Sequence, residues 1–332
     1  MKLFARRMIA IKQETTQNTF VAPAAADFLP AHDFSVKPVI EQLSSKIVAP
    51  SLGSPANVPG KKSVDIDIKC WGKGPGSGSA LGTKYAPLDA IFGACGLAGI
   101  ASASASVTYT PLNTSSSANY AGPCLTASVV GQYDGVNNEI EGVAGNMKWI
   151  IEAGKKWEIE FTGKGRLSSS GSSSGPLASD GGLSGSTGYP GNTVREPVVQ
   201  NIQFTIDGVG TLLVDKMEID FGTEVQMIDD ISSPNGVYGF TIVDRKPSGS
   251  FQAAMVNVAA HDFYGKLENG TVMSGSCQIG VDPGNKFILT LPSIIYSNVQ
   301  YVNKNGFICV TATMKFNDDP TGATPWITIS QQ

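Results

Sequence analysis

Val64-Asp65-Ile66-Asp67-Ile68, Trp157-Glu158-Ile159-Glu160-Phe161 and Met217-Glu218-Ile219-Asp220-Phe221 share one pattern: apolar and acidic residues alternate without a break. Side chains of a β-strand point to opposite faces in turn, so each stretch predicts a half-buried strand with an apolar face and a carboxylate face. Further strands are predicted at Val36 to Leu43, Thr126 to Tyr133, Gly239 to Val243, Ser250 to Val256, Gly275 to Val281 and Phe307 to Lys315. Pro38 marks the first of these as an edge or bulged strand, because proline cannot donate to a ladder. The fold class read from this is mainly β.

Two short helices interrupt the strands. After Pro87, the residues Leu88, Ile91, Phe92 and Cys95 recur at helical spacing, and Gly96 closes the run. The second helix is predicted over Val258 to Leu267, with Gly270 beyond it. The halves follow a similar order: alternating strand, basic-serine segment (Gly60-Lys61-Lys62-Ser63 or Arg245-Lys246-Pro247-Ser248), strand, short helix, then more strands. In this alignment Asp89 faces Asp262, Gly96 faces Gly270, and the strand at Trp157 faces the one at Phe307. A hairpin around Val129 to Glu141 reads as an extra piece of the first half.

The predicted organisation has five parts. An extended N-terminal arm with one short strand-like stretch, Met8 to Lys12, and little means of packing covers 1–33, and a first β unit covers 34–166. A Gly/Ser-rich linker or insertion (167–194) leads to a second β unit (195–317) and a C-terminal tail (318–332). The 332 residues suffice for two modest domains, each with its own core. Hydrophobic residues at 41% exclude a disordered chain, and charged residues at only 16% suit a surface covered by copies of itself.

Little catalytic chemistry is on offer, and the chain reads as a non-enzyme with no cofactor or metal. There are two histidines, His32 and His261, and the second reads as a structural histidine on the second helix. Gly171-Ser172-Ser173-Ser174-Gly175 matches a nucleophile pattern only formally, within low-complexity sequence. The glycines at 72, 74, 76 and 78 lack the Gly-Lys-Ser/Thr ending of a phosphate loop. Five cysteines without a C-x-x-C spacing read as buried free thiols in a reducing compartment. The net charge of −4 and the absence of basic runs argue against a nucleic-acid-binding surface. No stretch is long and apolar enough for a membrane span or a signal-peptide core.

Three segments resemble the major tail tube proteins of long-tailed, siphovirus-type phages. They are Ile11-Lys12-Gln13-Glu14-Thr15-Thr16 followed by Thr19, Tyr85-Ala86-Pro87-Leu88-Asp89-Ala90 leading to Ala94-Cys95-Gly96, and Asp244-Arg245-Lys246-Pro247-Ser248-Gly249-Ser250. Their order and separation are those of the family. Asn18 stands where the family has glycine, and asparagine tolerates the same left-handed backbone. The resemblance implies two tandem tail-tube-type β-sandwich/barrel units, each with a short flanking helix. It also implies a structural virion protein whose stacked rings conduct DNA through a β-barrel lumen during ejection.

A duplicated chain would close such a ring with three copies, a pseudo-hexamer, where single units use six. Implied partners are further copies of itself, the tape measure protein inside the lumen, and tail terminator and distal tail proteins at the ends. DNA passes without specific binding. The implied location is the virion tail, assembled in the host cytoplasm.

Glu158, Glu160, Glu218 and Asp220 are the candidate lumen-facing acids, where negative charge would repel phosphates; a solvated outer face is the other reading of the same pattern. Candidate contacts between rings are Lys12, Glu14, Thr15 and Thr16 on the arm, with Pro50, Leu52, Pro55 and Pro59 in the loop over 49–62. The competing class is a β-sandwich binding module or adhesin for carbohydrate or another surface. That class predicts exposed aromatic platforms around Trp71, Trp149, Trp157 or Trp326.

Overall fold

The computed structural model describes residues 7–44, 56–76, 82–102, 105–112, 125–134, 136–168, 196–200, 204–207, 209, 212–318 and 324–332. The first half contains β1 (Arg7–Gln13), β2 (Phe28–Leu29), β3 (Ala31–Leu43), β4 (Val58–Trp71), α1 (Ala86–Ala94), β5 (Leu97–Ser102), β6 (Ser106–Pro111), β7 (Ala127–Tyr133), β8 (Val136–Glu152) and β9 (Glu158–Leu167). The second contains β10 (Phe204–Ile206), β11 (Val214–Asp220), β12 (Thr223–Asp229), β13 (Val237–Arg245), β14 (Ser248–Ala254), α2 (Phe263–Glu268), β15 (Met273–Ile279), β16 (Phe287–Lys304), β17 (Phe307–Phe316) and β18 (Thr328–Gln331).

A continuous antiparallel path runs β3-β4-β9-β8-β11-β14-β17-β16. It consists of the same quartet twice. Each quartet places its strands in the spatial order first, second, fourth, third, and each puts its helix between the second and third. The registers also repeat. A bulge interrupts the first pair between Ala31 and Asp33 in one quartet and between Val214 and Lys216 in the other. From there Asp67↔Thr162 corresponds to Ser250↔Thr313, and Asn146↔Thr162 to Asn298↔Thr313.

The third strands, β8 and β16, are the longest, and each leaves the quartet at its N-terminal end. There β8 pairs with β7, which pairs with β1, and β16 pairs with β15, which pairs with β10. Because β7 has a counterpart in β15, the hairpin around Val129 to Glu141 is not an addition to the first half. Among the described elements the β5–β6 hairpin has no counterpart in the second half, and its Leu97-Ala98-Gly99-Ile100-Ala101-Ser102 strand shows no alternation in sequence.

The two halves do not bury separate cores. Pairing of β8 with β11 makes the sheet continuous, and one hydrophobic cluster includes residues of both halves. Its aromatic spine runs from Trp157 to Trp149 at 4.7 Å, then to Phe221 at 5.5 Å, Trp326 at 5.1 Å and Phe316 at 5.9 Å. Trp326, Ile327 and Ile329 of the expected C-terminal tail are buried there, and β18 pairs with both β16 and β6. Likewise the expected N-terminal arm contains β1, whose Ile9, Ala10 and Ile11 are buried between β2 and β7. The strand-like reading of Met8 to Lys12 holds as β1, but its packing was not expected; β18 alternates over only four residues, too few to read as a strand.

The helices hold to their capping residues. Proline opens α1, and Gly96 follows it with φ 76°. The second helix starts later than expected, at Phe263, because the Asp262 carboxylate accepts from Gly265 N at 2.9 Å and caps it. Asp89 is not the equivalent of that cap; it lies inside the first turn of α1 and pairs with Lys84 at 3.1 Å.

Candidate functional site: the polar face of the eight-strand path

One face of the eight-strand path lies on the core and the other is hydrophilic. On β4, Val64, Ile66, Ile68 and Cys70 point inward, as do Ile159 and Phe161 on β9 and Met217 and Ile219 on β11. The intervening residues share the opposite face, and all four candidate acids (Glu158, Glu160, Glu218 and Asp220) are among them, partly exposed. The alternation that predicts these strands therefore assembles one surface.

That surface is less acidic than its carboxylates alone suggest. Lys69 forms an ion pair with Glu160 and is raised above its ordinary pKa by that hydrogen bond. Lys148 (2.7 Å) and Lys216 (2.5 Å) both hold Glu218. Burial works to raise Glu218, but the two lysines keep it below the usual carboxylate range. Asp220 accepts from Asn146 Nδ2 at 2.8 Å, and Glu158 lies 3.1 Å from His32 Nε2. Sequence reasoning missed Lys69 and Lys148 because strand registry, not chain proximity, brings them opposite the acids, Lys69↔Glu160, Lys148↔Glu160 and Asp220↔Lys148, whereas Lys216 stands two residues before Glu218 on β11 itself. Beyond β11 the same face turns mostly to hydroxyls and amides, with Ser248, Ser250 and Gln252 on β14, Thr311 and Thr313 on β17, and Asn298 and Gln300 on β16, and carries Lys315 on β17 and Lys304 on β16.

The expected ring-contact residues separate. Thr15 and Thr16 are exposed and Lys12 is half-buried. Glu14 is enclosed: its carboxylate accepts from Asn18 N (2.9 Å), Gly142 N (2.8 Å), Ser128 Oγ (2.9 Å) and Thr126 Oγ1. Burial pushes its pKa up against those four donors. An inward carboxylate with this many partners fastens the 14–18 turn to β7 and β8, so Glu14 is no surface contact. Pro59 is exposed on β4, whereas Pro50, Leu52 and Pro55 lie outside the described residues, as does most of 167–194.

Both first-to-second strand connections extend beyond the quartets at the same rim. In the first half the distal ends of β3 and β4 carry exposed Val39, Ile40, Leu43 and Val58. In the second, β12 and β13 form a separate ribbon with exposed Met227, Ile228 and Ile231 nearby. This ribbon is anchored on the first half. Val237 and Phe240 pack on Ala144, and Arg166 donates to Val237 O (3.3 Å), Tyr238 O (2.8 Å) and Asn18 O (2.8 Å). Arg166 Nε also lies 2.9 Å from the buried Glu141.

Elsewhere the chemistry is structural. His261 precedes α2 rather than lying on it; it is buried, 2.9 Å from Tyr296 Oη, and burial lowers its pKa. The described cysteines, Cys70, Cys95, Cys277 and Cys309, are buried free thiols, and burial pushes Cys70 and Cys277 up to about 12. The glycine loop makes close backbone contacts: Gly74 lies against Gly284 O, and Gly76 N donates to that oxygen at 3.2 Å. Trp149, Trp157 and Trp326 are buried, and Trp71 stacks on His32 at 4.4 Å. Among the described residues no group of His, Cys, Asp and Glu could hold a metal ion, and no helix is long and apolar enough to cross a membrane.

The three segments that resemble tail tube proteins converge around α1. Gln13 packs against Gly93, and Arg245 donates to Gly96 O at 2.9 Å and to Leu112 O at 3.2 Å. Asn18 has φ 58°, the left-handed geometry expected of a residue standing for glycine. A family model described as phage tail tube protein matches residues 5–324. The chain belongs to the phage tail tube protein family. Its role is structural, as a component of the virion tail that self-assembles into a tube. A comparison with curated proteins returns no match. Within this tail tube chain, the long registered sheet with one polar face is the feature that bears on how a tube is built.

Proposed function

We propose that three chains close a ring whose lumen is lined by the polar face of the eight-strand path, and that rings stack into a tube conducting DNA during ejection. The observation that carries this reading is the double quartet: one chain holds two lining sheets already joined edge to edge. Three copies give 24 strands, which at ordinary strand spacing and tilt enclose a clear bore of roughly 40 Å. Closure also satisfies the backbone edges that an open sheet would expose to aggregation.

The lining is hydrophilic and nearly balanced in charge, since its acids lie among lysines. DNA would meet alternating small charges and hydroxyls, with no basic patch to hold its phosphates. Ring-to-ring contact falls to the two apolar hairpin extensions at one rim, with Pro59 beside them and Lys12, Thr15 and Thr16 as outlying contacts. The lumen holds the tape measure protein before ejection, and terminator and distal tail proteins cap the ends, after assembly in the host cytoplasm.

Electron microscopy of the purified chain tests the reading. Hollow striated tubes with three chains per ring are expected; a persistent monomer, or six chains per ring, would refute it.

A further inference from the structure

The junction between the two quartets lies inside the chain, so its geometry is visible. One edge of β8 pairs first with β7 and then, over Lys148 to Glu152, with β11. Its other edge belongs to β9. The corresponding edge of β16 pairs first with β15, at Phe287 to Ile294, and its other edge belongs to β17. Over Asn298 to Lys304 the β15-side edge has no strand partner among the described residues. At the far end of the path β3, the counterpart of β11, hydrogen-bonds as a strand to β4 alone. The path has an even number of antiparallel strands, so β3 and β16 run in opposite directions, as β11 and β8 do.

We infer that the free edge of β16 pairs with β3 of a second copy in the register of the internal junction. This rests on the ring reading above and adds its registry. The repeat aligns Lys148 with Gln300 and Ile150 with Val302 through their partners on β9 and β17, and the same offset carried two residues on aligns Glu152 with Lys304. The matching bulges align Lys216 with Asp33 and Asp220 with Lys37. The internal pairs Lys216↔Glu152, Glu218↔Ile150 and Asp220↔Lys148 then become Asp33↔Lys304, Ser35↔Val302 and Lys37↔Gln300 between chains.

The chemistry agrees with this register. Lys216 opposite Glu152 is replaced by Asp33 opposite Lys304, an opposite-charge pair with the signs exchanged. Asp33 is 56% exposed and held at the edge by Arg7 at 2.8 Å, and Lys304, which pairs with Asp215 within the chain, is 41% exposed. On the inward side the Ile219↔Trp149 contact becomes Val36↔Tyr301, and Tyr301, 48% exposed in the single chain, gains cover. A slip by one residue would turn these side chains to the wrong faces.

Paired cysteines test the register. Ser35→Cys with Val302→Cys places two thiols directly opposite, within the span of a disulfide. Shifting to Ser35→Cys with Gln300→Cys displaces them along the strand by about 7 Å, out of reach. After oxidation of assembled tubes, non-reducing electrophoresis should show dimers and a closing trimer for the first pair, with about tenfold less for the shifted pair. Lys37→Cys with Gln300→Cys provides a second in-register pair should the first disturb folding. Intact three-chain rings without in-register crosslinks, or with more crosslinking of the shifted pair, would overturn the register and leave the ring reading standing. Failure of the unmodified chain to form rings would overturn both.

Discussion

Arg166 is the strongest single tie between the β12–β13 ribbon and the first quartet, and its removal has a calculable cost. Its guanidinium donates to three backbone carbonyls, on Val237, Tyr238 and Asn18, while facing the buried Glu141. Lysine keeps the charge but not the planar fork, so Arg166→Lys forfeits at least one or two charge-assisted bonds, about 2–3 kcal/mol. Arg166→Ala loses all three and leaves Glu141 buried without its guanidinium, about 3–5 kcal/mol. Glu141→Gln should cost less than Arg166→Ala, and adding it to Arg166→Ala should recover part of the loss. Urea unfolding of an assembly-deficient monomer measures these differences, and hydrogen exchange over 223–245 should rise in parallel with them. Equal stabilities for Arg166→Lys and Arg166→Ala, or losses below about 1 kcal/mol for both, would refute the assignment of the ribbon's anchorage to this fork.

Other perturbations separate assembly from folding. Gly74→Ala should destabilise by about 2–4 kcal/mol, since its new methyl would lie 2.0 Å from Gly284 O; thermal melting reads the loss. By contrast Ile40→Asp and Ile231→Asp, at exposed sites, should leave the melting temperature unchanged yet abolish sedimentable tubes. His261 should make stability pH-dependent. Its folded pKa is depressed below 6.5, so its contribution is present above that value and is lost as pH falls through the folded pKa. Monomer stability should decline faster on acidification in the parent chain than in His261→Gln, and parallel curves would count against this role.

Much of the fold was legible because its strands are half-buried, with one wet face that leaves an alternating trace. That trace marks β4, β9 and β11, and Pro38 marked β3 correctly as an edge strand. Where both faces are covered, as in β1, it shows a short strand-like stretch but not its burial, and it fails where the strand is short and closes a sheet, as in β18. It also fails on β5, where alanine, glycine and serine carry no contrast between faces. For α2, the capping role of Asp262 was the missing signal; an N-cap aspartate ahead of Phe263 would have moved the start by five residues from Val258. The carboxylate face was readable as a face, but its lysine partners on β3, β4 and β8 came through registry. Glu14 misled for a related reason: a charged residue in a threonine-rich segment reads as exposed until three donors from a distant part of the chain, with Asn18 N close by, surround it.

The polar face has one further consequence, concerning symmetry. Its charged strip, from β3 to β11, and its hydroxyl and amide strip, from β14 to β16, differ although their backbones repeat. A ring of three such chains is six-fold in backbone but only three-fold in charge. A duplex sliding through it would meet alternating charge-rich and charge-poor sectors whose periodicity does not match its own helical grooves. No rotational setting of the DNA would then satisfy every sector at once, so the potential along the bore would have no deep trap. Duplication would thus let one half of the lining vary in charge while the other stays sparsely charged, a freedom that six identical subunits do not have.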